Sequence, residues 1–281
     1  RMWSLLEFFP ESLMFDVLDV GASRNETPPY QGLVDAGRAR IIGFEPDAAE
    51  CEELNRQYGP PHRFFPHFVG DGGQAVFHET NWLLTGSLYE PNTPLLEKFQ
   101  NLAELVTPVA THPVATRRLD DIPEIANVDF IKIDVQGSEL PIFRNGLRAL
   151  SSTLLIQTEV EFVELYKGQP LFADVDVFLR GAGFQLHTFA GFSGRAFKPL
   201  ISQNNRNLPF RQILWSDALY VRDWMALERL GEEKLQKYAV IAHDLLGSYD
   251  LVHLVLAELD RQKGSDLAPR YLERLAPGGA V

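Results

Sequence analysis

Acidic side chains stand at the ends of apolar runs along this chain, at Asp19 to Gly21, Glu45, Asp71 and Asp134. In an open parallel sheet, such positions face the crevice where ligands bind. Glu45 follows Gly21 by 24 residues, near the interval at which nucleotide-binding α/β folds place the acid that accepts from ribose hydroxyls. The intervening loop starts Gly21-Ala22-Ser23-Arg24-Asn25-Glu26. It lacks the two further glycines that let backbone close on a pyrophosphate. The implied ligand has a ribose and no pyrophosphate there. S-adenosylmethionine is such a ligand, and methyl transfer is its chemistry. Blander readings exist for single residues. Asp71 before Gly72 equally reads as a turn, and Glu45 before Pro46-Asp47 also reads as a helix-leading acid favoured by the macrodipole. The weight lies in the ordered set.

Methylating an aliphatic hydroxyl requires removal of its proton by a base or help from a metal. The candidate bases are Asp134, Glu139, Glu159 and His187. Glu139 reads better as a first-turn helix acid. Glu159 and Glu161 alternate onto one strand face, and two acids near a strand end are hard to explain as core. Asp134 or Glu159 is therefore the expected base, with His187 third; His187 equally fits a satisfied residue at a strand edge. Metal ligation is not expected. The seven histidines form no His-x-His or His-x-x-x-His pair, and the one cysteine excludes a thiolate cluster. Carboxylate-bound Mg²⁺ at Asp134 and Glu159 is compatible but not required.

The elements that position these residues follow from apolar periodicity. Phe15 to Val20 reads as a buried strand broken at Gly21, and Ile41 to Phe44 as a second. Tyr30 to Gly37 reads as a helix behind Pro28-Pro29. Residues 47 to 57 form another helix capped by Asp47, with Cys51 a small hydrophobe upon it. His62 to Val69 and Gln74 to Thr80 read as a hairpin around Gly70-Asp71-Gly72-Gly73. Val128 to Val135 is a strand, with Ser138 capping the helix after it. Thr153 to Val160 is a strand, Phe172 to Leu179 a helix, and Phe184 to Phe189 and Gln212 to Val221 the last strands. This β-α alternation implies a mainly parallel sheet with helices on both faces. Loops 81–94 and 190–210 are expected to line an acceptor site; Trp82, Tyr89, Phe192 and Arg195 in them would suit a sugar ring or flat metabolite.

Beyond Arg222, apolar residues recur at helical spacing through Leu245, break at Gly247 and resume at Leu251. A helical hairpin over 223–263 is expected, followed by a frayed end at 276–281. It is too small for its own core, so it must dock in cis or on a second subunit of a homodimer. Arg222-Asp223 leaves almost no linker, which favours docking in cis through Trp224, Tyr238 and Tyr249. The division expected is residues 1–222 as the cofactor-binding methyltransferase domain and 223–281 as a helical extension.

The chain has 281 residues, 45% of them hydrophobic, enough for one sizeable core. A net charge of −12 argues against nucleic acid or an anionic membrane as partner. A single cysteine rules out an internal disulfide and fits a reducing compartment. No apolar run approaches the roughly 20 residues of a membrane span, and the amino end shows no signal-peptide pattern. A cytoplasmic location is expected.

Three strings, Leu18-Asp19-Val20-Gly21-Ala22, Gly43-Phe44-Glu45-Pro46-Asp47 and Phe130-Ile131-Lys132-Ile133-Asp134-Val135-Gln136-Gly137-Ser138-Glu139, resemble the FkbM family of methyltransferases. Arg118 to Ile122, Glu159 to Phe162 and Trp215 to Tyr220 support the likeness, which spans roughly residues 15 to 222. It implies a Rossmann-like class I methyltransferase sheet, mostly parallel and seven-stranded with the last strand antiparallel, and S-adenosylmethionine as cofactor. It also implies an O-methyltransferase acting on a hydroxyl of a sugar, glycan or secondary metabolite, and so a small-molecule or carbohydrate acceptor. The implied cofactor set is Asp19, Gly21, Ala22, Ser23, Glu45, Pro46, Asp71 and Asp134. Gly21 and Ala22 would admit the amino-acid end, Glu45 the ribose diol and Asp71 the adenine amino group, with Asp134 beside the methyl. The family's usual Gly-Ala-Asn-x-Gly turn is here Gly21-Ala22-Ser23-Arg24-Asn25, followed by a long loop to Tyr30, which implies a reshaped pocket floor. Two other readings compete. One is a catalytically silent scaffold that recruits a partner through its helical tail; the other is a nicotinamide-dependent oxidoreductase, which the single-glycine loop disfavours.

Overall fold

The computed structural model describes residues 3–276. Its strands and helices follow one another as β1 (Phe15–Val20), α1 (Gln31–Asp35), β2 (Ala39–Phe44), α2 (Ala48–Tyr58), β3 (Arg63–Phe65), β4 (Phe68–Val69), β5 (Gln74–Thr80), α3 (Thr93–Leu96) and β6 (Pro108–Arg117). There follow β7 (Phe130–Ile133), α4 (Glu139–Arg144), α5 (Leu147–Ser152), β8 (Leu155–Glu161), α6 (Phe172–Gly181), β9 (Phe184–Phe189), β10 (Ser193–Gly194) and β11 (Ile213–Arg222). The helices α7 (Glu232–Val240), α8 (Tyr249–Lys263) and α9 (Leu267–Leu275) close the described chain.

The main sheet runs β10-β11-β8-β7-β1-β2-β3, with β9 also paired to β11. β3, β2, β1, β7 and β8 are mutually parallel, while β11 is antiparallel to β8, β9 and β10. The expected parallel α/β sheet with a late antiparallel strand is therefore present. The two-residue β10 brings it to eight strands. Strand order reverses at β1, so the crevice above β1 and β7 is where a ligand belongs.

Strand periodicity of two splits the core. Phe15, Val17, Phe130, Leu155 and Val221 face one side, packed by α1, α2 and the carboxyl-terminal helices. Leu18, Ile131, Ile133, Ile156 and Tyr220 face the other, under α4, α5 and α6. The tail helices thus dock in cis. They are three, with α9 burying Tyr271 beyond the expected hairpin. A π-helical turn at Ile241–Leu245 precedes the break at Gly247. Among the expected anchors Tyr238 is fully buried and its hydroxyl donates to the Arg222 carbonyl at 2.6 Å, and Tyr249 is partly buried. Trp224 is exposed and is not part of the buried cluster. The expected frayed end at 277–281 lies outside the described residues.

The hairpin reading of 62–80 is corrected. β3 joins the main sheet, and β5 pairs antiparallel with β6, which also takes β4. β6 starts at Pro108 and contains Pro113; proline lacks the ladder donor and so conceals a strand from pattern reading. Ser138 holds the cap position of α4 without making a side-chain cap bond. The Glu139 carboxylate instead folds back on the turn before the helix, accepting from the Val135 and Gly137 N–H groups at 2.9 and 3.3 Å.

Candidate active site

On the face that packs the tail helices, the lower half of each central strand is apolar and the upper half is charged. Asp19 pairs in register with Lys132, and Lys132 with Gln157. One row higher, Glu159 pairs with Asp217. Alternation puts Asp134 on the same face as Lys132. The β1–α1 loop folds over this patch and contributes Glu26, Thr27 and Pro29 to a cavity of about 310 Å³ with Lys132, Asp134, Gln157, Glu159, Ala190, Gly191, Trp215 and Asp217. Four carboxylates and one ammonium therefore line it.

A second cavity, about 450 Å³, opens on the other side of Asp134. Its polar lining includes Gly21, Ser23, Glu26, Glu45, Pro46 and Asp134, and its apolar lining includes Val69, Phe77, Leu88 and Val114. The two cavities share Glu26 and Asp134. Gly21 has φ +83°, and a Cβ there would fall 2.0 Å from the Asp134 carbonyl oxygen. Only glycine lets the ends of β1 and β7 come this close.

Glu45 Oε1 accepts from the Asp47 N–H at 2.7 Å. Among the described residues nothing donates to its other oxygen. Burial is the main cause that pushes its pKa up to about 7, against the opposing pull of that hydrogen bond. Burial, reinforced by Asp134, Glu161, Glu139 and Asp217, raises Glu159 well above the usual carboxylate range. Burial and Asp134 raise Asp217 as well. For Lys132 burial works against the charge, but Asp19, Asp134, Glu26 and Asp217 outweigh it and the ammonium is held more firmly than usual. Its Nζ lies 3.8 Å from Asp19 and 3.7 Å from Glu26.

The structure brings Gly21, Ser23, Glu45, Pro46, Asp134 and Glu159 to the two cavities. Asp19, Ala22, Asp71 and His187 do not line them. Asp19 is buried beneath, with the Tyr30 hydroxyl donating to it at 2.5 Å, and Ala22 belongs to the core. Asp71 is exposed and closes its own turn, accepting from the Gly73 N–H at 2.8 Å and from Thr116 at 3.3 Å. His187 lies on β9 toward Asp250 of α8, its pKa lowered by burial. β9 pairs with β11, on the side away from β8 and β7. Glu139 is a loop-closing acid, pushed up to about 7 mainly by burial. Loop 81–94 lines the Glu45 cavity through Leu84, Gly86, Ser87 and Leu88 rather than the acidic one, which takes Ala190, Gly191 and Ser193 from the later loop. Sequence reading missed Lys132, Glu26 and Asp217. Lys132 was readable, since it stands two residues before Asp134 on the same strand face.

Among the described residues, no three His, Cys, Asp or Glu side chains are arranged to hold a metal ion, and no helix is long and apolar enough to cross a membrane. The family model described as the methyltransferase FkbM domain matches residues 19–186. No curated protein matches the chain significantly. A Thermoplasma acidophilum protein proposed to be a methyltransferase is similar at 7% identity, covering 75% of this chain and 69% of that one, with TM-score 0.39. StiE O-MT residues 961–1257 give 9% identity, 88% and 78% coverage and TM-score 0.35. The 23S rRNA methyltransferase ErmE gives 16% identity, 96% and 95% coverage and TM-score 0.36.

Proposed function

This chain belongs to the FkbM methyltransferase family, and on that premise we propose that it transfers a methyl group from S-adenosylmethionine to a hydroxyl of a sugar, glycan or secondary metabolite. The observation that carries this reading is the meeting of two cavities at Glu26 and at Asp134, the carboxylate that follows β7.

The residues present fit the cofactor. Glu45 has one oxygen held by backbone and one available for a ribose diol. Val69, Phe77, Leu88 and Val114 line the same cavity and suit a flat base. Ser23 and Gly21 border its other end. When bound, the cofactor supplies an electrophilic methyl group on a cationic sulfur, and carboxylates around the junction favour that charge.

In the smaller cavity this chain's own groups orient the acceptor and take its proton. Among the described residues only Gln136 donates to the Asp134 carboxylate, at Oδ1. Oδ2 is thus available to accept the proton of an acceptor hydroxyl. Proton removal there turns a poor nucleophile into a competent one. Glu159 and Asp217 accept from further hydroxyls, and Lys132 holds Asp19 and Glu26 in place. Four carboxylates against one ammonium favour a neutral polyol or a cationic acceptor over a polyanion.

The test is calorimetry with S-adenosylhomocysteine, followed by methyl transfer to a panel of sugars, polyols and an rRNA fragment. Micromolar binding, about −8 kcal/mol, and transfer to a hydroxylated small molecule are expected. Tight NAD binding without response to S-adenosylhomocysteine, or transfer to RNA alone, overturns the proposal.

A further inference from the structure

Gln136 is the first residue of the turn that leaves Asp134 and Val135 for α4, and its backbone is left-handed, φ +57°. That conformation is costly for a residue with a long side chain, and Gly137 beside it is left-handed too, at φ +101°. Something other than turn geometry keeps a glutamine here. Its Nε2 donates one hydrogen to Asp134 Oδ1 and the other to Glu159 Oε2, both at 2.8 Å. Its Oε1 accepts from the Tyr166 hydroxyl at 3.0 Å. That hydroxyl also lies 2.9 Å from the Thr85 carbonyl oxygen. The turn itself is tied down by Ser87, whose Oγ donates to the Gln136 carbonyl at 2.6 Å. Two carboxyl oxygens on one side demand a donor, while the single Tyr166 hydroxyl hydrogen is shared between Gln136 Oε1 and the Thr85 carbonyl. The amide is therefore oriented by its neighbours.

We propose that Gln136 is a positioning residue that fastens the Asp134 and Glu159 carboxyls into one acid–base unit, with one amide hydrogen to each. The inference rests on the reading of those two acids as the site's proton-handling pair. A like charge held close by the same amide disfavours ionisation of Glu159. Burial first, then Asp134 itself, Glu161 and Glu139 on β8 and α4, and Asp217 on β11 push Glu159 toward protonation. The Gln136 amide works the other way, because a donated hydrogen bond favours the ionised carboxylate. Lys132 on β7 adds a positive charge on the same face, and burial beside these acids keeps Tyr166 a neutral hydroxyl. Gln136 thus sets both the spacing of the two acids and the pH at which Glu159 accepts a proton.

The experiment is a pH titration of the side-chain carboxyl carbons by ¹³C NMR, with signals assigned through Asp134→Asn and Glu159→Gln. Gln136→Asn keeps a residue that tolerates positive φ but is one methylene too short to reach both acids. Gln136→Glu keeps the length and replaces the donor with a third acid. The Glu159 carboxyl step should move up by about one pH unit in Gln136→Asn and further in Gln136→Glu, with melting temperatures showing that the variants are folded. A step that stays in place in a folded variant overturns the proposal, since a merely structural glutamine would leave it there. Calorimetry with S-adenosylhomocysteine on the unaltered protein separates the two readings. Absent cofactor binding with a moved titration step fells the functional reading and leaves the clamp standing.

Discussion

Glu45 ties cofactor binding to pH, because burial has pushed its pKa up to about 7. Ribose hydroxyls donate to the carboxylate, so binding favours the ionised form and expels the proton. Affinity for S-adenosylhomocysteine should therefore be full above pH 7 and fall toward tenfold per unit below it. Calorimetry from pH 5.5 to 8 checks this, and Glu45→Gln should flatten the profile. Glu45→Ala should weaken binding by roughly 1.5–3 kcal/mol, the scale of a hydrogen bond to a charged group. Glu159 bears on stability instead. Its folded-state pKa is raised by burial and by the acids around it, so its contribution is fully present below the unfolded value near 4.5 and is lost as pH rises through the folded one. Glu159→Gln should accordingly raise the melting temperature at pH 7.5 and change it little at pH 4.5. An equal effect at both pH values would contradict the assignment. At this scale the cavity positions of Gly21, Glu45 and Asp134 were legible because each closes a strand, and that of Glu159 because it alternates with a second acid, Glu161, near a strand end. Gln136 was not, since its meaning depends on a left-handed turn and on a tyrosine 30 residues later.

The elements of the parallel sheet were legible for a plain reason. Strands buried on both faces are written as unbroken apolar runs. β6 was hidden because it carries Pro108 and Pro113 and exposes much of its length. The link between α7 and the sheet was equally hidden, because it joins residues some hundred positions apart. Asp129, fully buried at the start of β7, accepts from Lys234 at 2.5 Å, from Lys237 at 3.0 Å and from the Asp16 N–H at 2.8 Å. Asp129→Ala would remove the buried carboxylate that Lys234 and Lys237 share, leaving Lys237 only Glu233, at 2.7 Å. Loss of about 3–5 kcal/mol is expected, read as a lowered denaturant midpoint. A loss under about 1 kcal/mol would show that the triad is solvated in practice.

For the whole molecule, the tail helices cover the apolar lower half of the same sheet face whose upper half carries the acids. Val240, Ile241, Val252, Val255 and Leu256 are fully buried there. Removing residues 224–281 should expose that face and cause aggregation; a truncated protein that stays soluble, monomeric and equally heat-stable would contradict this. We propose residues 1–222 as the cofactor-binding part and 223–281 as its cover. Its docking in cis was readable from the missing linker after Arg222, while the third helix and the poor anchoring of Trp224 were not, because periodicity shows a buried face without its partner. The most direct test of the central claim is a crystal structure with S-adenosylhomocysteine. The account predicts the ribose hydroxyls on Glu45, the base among Val69, Phe77 and Leu88, and the sulfur facing Asp134 at the mouth of the acidic cavity. A ligand bound elsewhere, or a ribose turned away from Glu45 with its sulfur remote from Asp134, would contradict it.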